Sequence, residues 1–140
     1  MIRNETILRV RYGETDQMGY VYYGNYAQYL EVGRVEAMRS LGISYKEMEE
    51  NGILMPVINL TINYKKPALY DDEVRVVTTV NQLPTVRIIF NYECYNQNNE
   101  LLNTASVTLV FIDKLKNKPT APPDWFLDRF EEKFENLSSK

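Results

Sequence analysis

The alternation of apolar and polar residues along the chain predicts a domain that is rich in β-strands. Four stretches, 6–12, 57–65, 86–95 and 104–112, alternate with the period of two that half-buried strands show. A fifth stretch, 73–82, is rich in Val and Thr and alternates less cleanly. The connectors between the last four stretches are short and turn-like, which favours antiparallel pairing over βαβ crossovers.

One segment has the period of a helix instead. Apolar side chains from residue 25 to residue 41 recur at helical spacing over so wide an arc that we expect the helix to be largely buried. Gly33 stands inside this helix, and close packing of its backbone on the sheet would explain it. A short helix follows, with Ser44 as its N-cap and Glu47 completing a capping box. A last amphipathic helix starts at about residue 123.

The order of these elements predicts the fold class and the domain organisation. A strand, a long helix, a short helix and four further strands indicate an α+β domain in which an antiparallel sheet of about five strands wraps one long helix. With 140 residues, the chain is predicted to be a single domain over 1–140. Because such a sheet has two open edges, we expect a homodimer or a homotetramer.

Composition excludes several classes of function. The chain has no His, which removes Ser-His-Asp and Cys-His catalysis and imidazole-based zinc sites, so we predict no metal site. The net charge of −3 argues against a nucleic-acid partner. The first residues lack the apolar core of a signal peptide, and no apolar run is long enough to span a membrane. With Cys94 as the single thiol, the sequence is typical of a cytoplasmic protein.

The stretch from Arg11 to Arg34 carries the candidate chemistry. Asp16 lies in the predicted loop between the first strand and the long helix, and residues 21–25 lead into that helix. A helix N-terminus has unpaired N–H groups and partial positive charge, which stabilise an oxygen that becomes an anion during acyl transfer. A carboxylate held beside such donors can act as a base or a nucleophile without His.

These residues resemble a known family. The motif T-D-x-M-G-x-V-Y-x-G-N-Y over residues 15–26, followed by an amphipathic helix, is similar to the hotdog-fold acyl-CoA thioesterases. The nearest branch is that of 4-hydroxybenzoyl-CoA thioesterase and the bacterial short-chain acyl-CoA thioesterases. The resemblance runs from Leu8 to about Trp125 and includes the segment NYKKPALYDD at residues 63–72.

The resemblance implies a catalytic pair. Asp16 falls on the family's catalytic aspartate, which attacks the thioester or activates water. The backbone N–H of Tyr23 would polarise the thioester carbonyl, and the neighbouring Gly24, Asn25 and Tyr26 would contact substrate. Many relatives carry His at the position of Tyr23 and others carry Tyr. We expect the backbone N–H to be the working group there, because it survives that substitution.

Each candidate also has a structural alternative. Asp16 could be an Asx-turn residue, Asn25 an N-cap, and Tyr26 a core aromatic. Glu31 on the helix is a fallback acid, although an ion pair with Arg34 is the favoured interpretation. Loop lysines are candidate contacts for CoA phosphates, or serve solubility only; they are Lys65, Lys66, Lys114, Lys116 and Lys118.

The sequence therefore predicts an enzyme that hydrolyses acyl-CoA to free acid and CoA, without a metal or redox cofactor. The acyl group is expected along the helix start and the dimer interface. Two alternatives stay open: a thioesterase acting on acyl-carrier-protein, and an acyl-CoA-binding hotdog module without turnover. Hotdog dehydratases are disfavoured because they depend on a catalytic His.

Overall fold

The computed structural model describes residues 1–138, with the side chains of residues 1–134. The helices are α1 (Tyr26–Arg39), α2 (Tyr45–Glu50) and α3 (Asp124–Ser138). The strands in chain order are β1 (Ile2–Arg9), β2 (Ile53–Leu54), β3 (Val57–Tyr64), β4 (Glu73–Val80), β5 (Arg87–Tyr95), β6 (Leu101–Val110), β7 (Ile112–Asp113) and β8 (Lys118–Pro119).

The main sheet has five antiparallel strands in the order β1-β4-β5-β6-β3. The short strands form a second sheet in the order β2-β7-β8. Helix α1 packs on one face of the main sheet and contacts β1 and β4. This arrangement confirms the predicted α+β class and the wrapping of a five-stranded sheet around a long helix.

The first and last predicted strands differ from the observed strands at both ends, and strand pairing explains the difference. The first strand runs from Ile2 to Arg9 rather than over 6–12, because all of its residues pair with β4. Residues 12–14 form a 3₁₀ turn instead. The last predicted strand, 104–112, is longer at its start and ends at Val110, after which β7 pairs with β2.

Helix α1 approaches the sheet most closely at Gly33. A Cβ atom there would lie 2.7 Å from Thr78 Oγ1 and 2.8 Å from Val76 Cγ1. The predicted close packing is therefore confirmed. The prediction that the helix is largely buried is wrong for one side, since Gln28 and Glu31 remain exposed.

Strand β3 forms an open edge of the sheet. Its alternating pattern predicted one buried face, yet all of its residues are exposed except the half-buried Ile62. Ile58 is 47% exposed and Leu60 43%. The strand pairs on one side only, with β6, and α1 lies over β1 and β4 at the opposite end of the sheet, so the apolar side chains of β3 are left largely uncovered by the described residues.

The remaining helices follow their predicted caps and patterns. The Ser44 side chain accepts a hydrogen bond from the Glu47 N–H at 3.0 Å, as the capping box predicts. Phe126 and Phe130 of α3 are buried and stacked, and Phe126 meets Phe111 edge to face. Among residues 1–138 no helix is both long and apolar enough to cross a bilayer.

Candidate active site

Asp16 opens a tight turn between β1 and α1. Its N–H donates to the Tyr20 carbonyl at 2.8 Å, and its own carbonyl accepts from the Gly19 N–H at 3.0 Å. Gly19 has φ +80°, a conformation that side-chain-bearing residues rarely adopt. Thr15 and Val21 form a bridge on either side of this turn. The loop that carries Asp16 is therefore a small hydrogen-bonded hairpin.

The two oxygens of the Asp16 carboxylate have different surroundings. Oδ1 accepts from the N–H of Met18 at 2.9 Å and from that of Tyr20 at 3.3 Å. Oδ2 makes no hydrogen bond to any residue in the described part of the chain. The Asx-turn interpretation is thus correct for Oδ1, while Oδ2 remains available to a reacting group.

The helix start supplies unpaired donors. Residues Tyr23–Asn25 form a 3₁₀ turn that leads directly into α1. Within residues 1–138, no acceptor pairs with the N–H of Tyr23 or of Gly24. The Tyr23 carbonyl accepts a long hydrogen bond, 3.5 Å, from the Tyr64 hydroxyl. These are the free donors that the sequence predicted at this position.

Glu14 connects the loop to the helix. Its carbonyl accepts from the Tyr22 N–H at 2.9 Å and from Asn25 Nδ2 at 2.8 Å. Its Oε1 accepts from the Tyr29 hydroxyl at 3.0 Å and from the Arg11 N–H at 2.8 Å. We call this set of hydrogen bonds the Glu14 junction. It holds the Asp16 turn against the first turns of α1.

Sequence reasoning missed the Glu14 junction. Glu14 and Tyr29 stand 15 positions apart, and no local spacing rule connects a loop carboxylate to a helix tyrosine at that distance. Asn25 occupies the N-cap position of α1 as predicted, but its side chain makes no capping hydrogen bond and donates to the Glu14 carbonyl instead.

A cleft of about 300 Å³ brings the candidate residues together. Its walls are mostly apolar and aromatic, and Asp16 lies among them. The lining residues are Asp16, Met18, Tyr20, Val21, Tyr23, Tyr26, Tyr64, Lys65, Lys66 and Pro67. The predicted catalytic pair and two of the predicted phosphate-binding lysines therefore share one cavity.

Tyr26 is the most buried residue of this cleft. It is 2% exposed, and its ring lies 5.6 Å from that of Tyr64. Burial raises the pKa of the Tyr26 phenol to about 12, so the hydroxyl is neutral at physiological pH. It accepts from the Ala68 N–H at 3.4 Å. Both predicted roles, core aromatic and substrate contact, are compatible with this placement.

Other candidates lie elsewhere or are engaged. Lys114 lies in the turn after β7, where its N–H donates to the Gly52 carbonyl, and it does not line this cleft. Lys66 forms an ion pair with Glu100, while Lys65 has no ion pair with a described residue. Glu31 is outside the cleft, and the favoured Glu31–Arg34 ion pair is not formed.

The charged groups that line the cleft are a single carboxylate and two lysines, and backbone donors lie beside them. The described residues contain no cluster of three or more His, Cys, Asp or Glu that could hold a metal ion. A carboxylate oxygen and two N–H groups that are unpaired within the described residues lie at the helix start, and groups of these types can serve as a base or nucleophile and as an oxyanion site. Together with a five-stranded sheet wrapped around one long helix, they fit a thioester hydrolase of the hotdog fold.

The chain belongs to the Thioesterase-like superfamily, which its sequence matches over residues 10–130. It is 39% identical over 122 residues to a putative acyl-CoA thioesterase, YneP, of Bacillus subtilis, covering 84% of this chain and 88% of that protein. It is 31% identical over 125 residues to the acyl-CoA thioester hydrolase YbgC of Escherichia coli, covering 89% and 93%.

A solved structure described as a DHNA-CoA thioesterase from Staphylococcus aureus superposes with a TM-score of 0.89. The two sequences are 38% identical, and the match covers 100% of this chain and 97% of the other. These relatives confirm the predicted hotdog fold and the predicted enzyme class, an acyl-CoA thioesterase. The predicted similarity to the fold of 4-hydroxybenzoyl-CoA thioesterase is also confirmed.

Proposed function

We propose that this chain hydrolyses acyl-CoA thioesters with Asp16 as base or nucleophile and the N–H groups of Tyr23 and Gly24 as the oxyanion site. The observation that carries the proposal is the pairing of a free Asp16 Oδ2 with unpaired helix-start donors beside one cleft. Hydrogen bonds at Oδ1 hold the carboxylate in place while Oδ2 reacts.

The same groups support two reaction routes. As a base, Asp16 takes a proton from water, whose oxygen attacks the thioester carbon. The C–S bond then breaks, and the CoA thiolate leaves and takes the proton from the Asp16 carboxyl. As a nucleophile, Oδ2 attacks the thioester carbon, CoA leaves as the thiol after protonation by solvent, and water hydrolyses the resulting anhydride. In both routes the carbonyl oxygen becomes an anion facing the N–H donors.

The cleft has an aromatic part that suits an acyl group and a positively charged part that suits CoA phosphates. Aromatic side chains, Tyr20, Tyr26 and Tyr64 among them, line the part that would take the acyl group. Lys65 and Lys66 stand exposed at the same cleft and supply positive charge for CoA phosphates. Asn25 supports the site through Glu14, and Lys114 stays a candidate phosphate contact from a separate turn.

The proposal includes assembly and location. A homodimer or homotetramer would cover the apolar edge at β3 and deepen a cleft that is open on one chain. A cytoplasmic location fits a single cysteine that is free and buried.

A thiol-release assay over an acyl-CoA panel tests the function. Burial raises the pKa of the Cys94 thiol to about 12, so the native protein adds little background to a thiol reagent. We expect CoA release from at least one acyl-CoA at a rate proportional to enzyme concentration. Release from acyl-carrier-protein alone would identify the alternative substrate. Saturable binding of acyl-CoA without release would indicate the non-catalytic module.

A further inference from the structure

Arg34 of α1 is a buried cation for which the described residues supply no counter-ion. The residue is only 8% exposed. Its Nε donates to the Tyr45 hydroxyl at 3.2 Å, and the buried Tyr92 hydroxyl lies nearby. No carboxylate of the described residues forms an ion pair with it. Two tyrosine hydroxyls are neutral partners, and burying a charge without an ion pair is costly, so this guanidinium favours an anion from beyond the described residues.

Two clefts meet at this guanidinium. One, of about 270 Å³, lies between α1 and β3 and is lined by Arg34, Glu31, Val57 and Leu60 among others. The second, of about 290 Å³, is lined by Arg34, Glu31 and residues of α2 and the sheet. The only residues common to both are the buried cation and one exposed carboxylate, Glu31.

We propose that α1 of a second copy packs on this face, and that Glu31 of each copy pairs with Arg34 of the partner subunit. The idea deepens the assembly included in the proposed function. Glu31 and Arg34 are three positions apart and lie on one face of the helix, about 4.5 Å apart along its axis. When a twofold axis passes between positions 32 and 33, antiparallel copies of α1 bring each carboxylate to the other copy's guanidinium.

The surroundings of the pair favour a second copy of this chain over a small anion. The cleft between α1 and β3 is walled by β3, whose Val57 and Leu60 are 46% and 43% exposed. A small anion would leave these apolar side chains in water. A second copy would cover them and would also supply the carboxylate of its own Glu31. The face carries one positive and one negative group, so it is complementary to itself.

A charge-swap series tests the pairing through the dissociation constant of the dimer, measured by analytical ultracentrifugation of the full chain. Glu31→Arg faces Arg34 of the partner subunit with a like charge, and we expect it to weaken the dimer roughly 30-fold or more. Glu31→Gln removes the charge only and should weaken it less. The double variant Glu31→Arg/Arg34→Glu restores both reciprocal pairs, and its dissociation constant should return to within about tenfold of the unaltered protein.

Glu49→Arg is the matched control, because Glu49 lines one of the same clefts but lies on α2. We expect it to leave dimerisation unchanged. Glu31 is exposed, so its variants keep the fold even if Arg34→Glu does not. A dimer insensitive to Glu31→Arg, a monomeric unaltered protein, or weakening by Glu49→Arg in place of Glu31→Arg would each overturn the assignment.

The assay for CoA release separates this inference from the proposed function. If the double variant restores the dimer but the protein releases no CoA, the proposed interface is supported and the proposed hydrolysis is refuted. If the protein hydrolyses acyl-CoA and the dissociation constant of its dimer is unchanged by Glu31→Arg, only the proposed interface is refuted.

Discussion

At the scale of single residues, the two carboxylate oxygens of Asp16 differ in their hydrogen bonding. Oδ1 caps the turn by accepting from Met18 and Tyr20, and Oδ2 faces no partner in the described structure. The loop thus positions the carboxylate through backbone N–H groups, which do not depend on neighbouring side chains. A substitution that keeps Oδ1 should therefore separate chemistry from structure.

Asp16→Asn should lower the rate of CoA release about 100-fold or more while leaving the fold intact. The amide oxygen still accepts from the turn, but the group no longer acts as base or nucleophile. Turnover on the best acyl-CoA measures the loss, and urea unfolding checks stability. An unaltered turnover number in the purified variant would remove Asp16 from the mechanism.

Tyr23→Phe should cost less than about tenfold in turnover, whereas Tyr23→Pro should cost about 100- to 1000-fold. Proline removes the backbone N–H, which is unpaired within the described residues, together with the aromatic ring that packs on Tyr22, and Tyr23→Phe keeps both of these. Tyr22 has the extended ψ of 131° that precedes proline readily. The comparison of kcat for the two variants decides which group works. Equal losses would assign the role to the phenol.

At the scale of elements, the Glu14 junction joins the Asp16 loop to α1. The Glu14 side chain is 13% exposed and accepts from the hydroxyl of the buried Tyr29 and from the exposed Arg11 N–H, so its loss leaves the Tyr29 hydroxyl without this acceptor. Rigid support of this kind keeps reacting groups aligned.

Glu14→Ala should destabilise the fold by about 1.5–3 kcal/mol and lower kcat more than it raises KM. Glu14→Gln keeps an acceptor and should recover most of both. The exposed Glu5 supplies the control, since Glu5→Ala removes only surface ion pairs with Arg3 and Arg75 and should change stability little. Equal effects of the two alanine variants would contradict the junction.

Gly33→Ala should destabilise the protein by roughly 1–2 kcal/mol, although alanine is the better helix former. The new methyl group would collide with Val76 and Thr78 of β4 and force α1 away from the sheet. Urea unfolding at one protein concentration measures the difference. Gly13→Ala is the matched control, because its Cβ would meet no atom within 4 Å. A neutral or stabilising Gly33→Ala would show that the helix can shift without loss.

At the scale of the whole molecule, one chain leaves two features incomplete: the exposed apolar edge at β3 and an open cleft at Asp16. The proposed second copy would cover the edge and deepen the cleft. We expect light scattering across a dilution series to give a dimer or a dimer of dimers, with specific activity falling where the oligomer dissociates. A chain that is monomeric and fully active at assay concentration would contradict shared sites.

Much of the secondary structure of this protein can be predicted from the local pattern of apolar and polar residues. Alternation predicts a five-stranded antiparallel sheet because a strand's side chains point to opposite faces in turn. Helical spacing predicts α1 and places Gly33 against the sheet. The motif at residues 15–26 locates the Asp16 turn, because that turn is built from short-range hydrogen bonds. It also locates the start of α1, where the first N–H groups have no partner within the described residues.

Tertiary structure alone decides the long-range partners. The Glu14–Tyr29 hydrogen bond, the open edge at β3 and the hydrogen bond of the buried Arg34 to Tyr45 all depend on which elements lie side by side. Periodicity reports which side of a strand or helix is apolar, but it does not report what covers that side. β3 therefore had the pattern of a half-buried strand and became an exposed edge, because strand order places β6 on one of its sides and no described strand on the other.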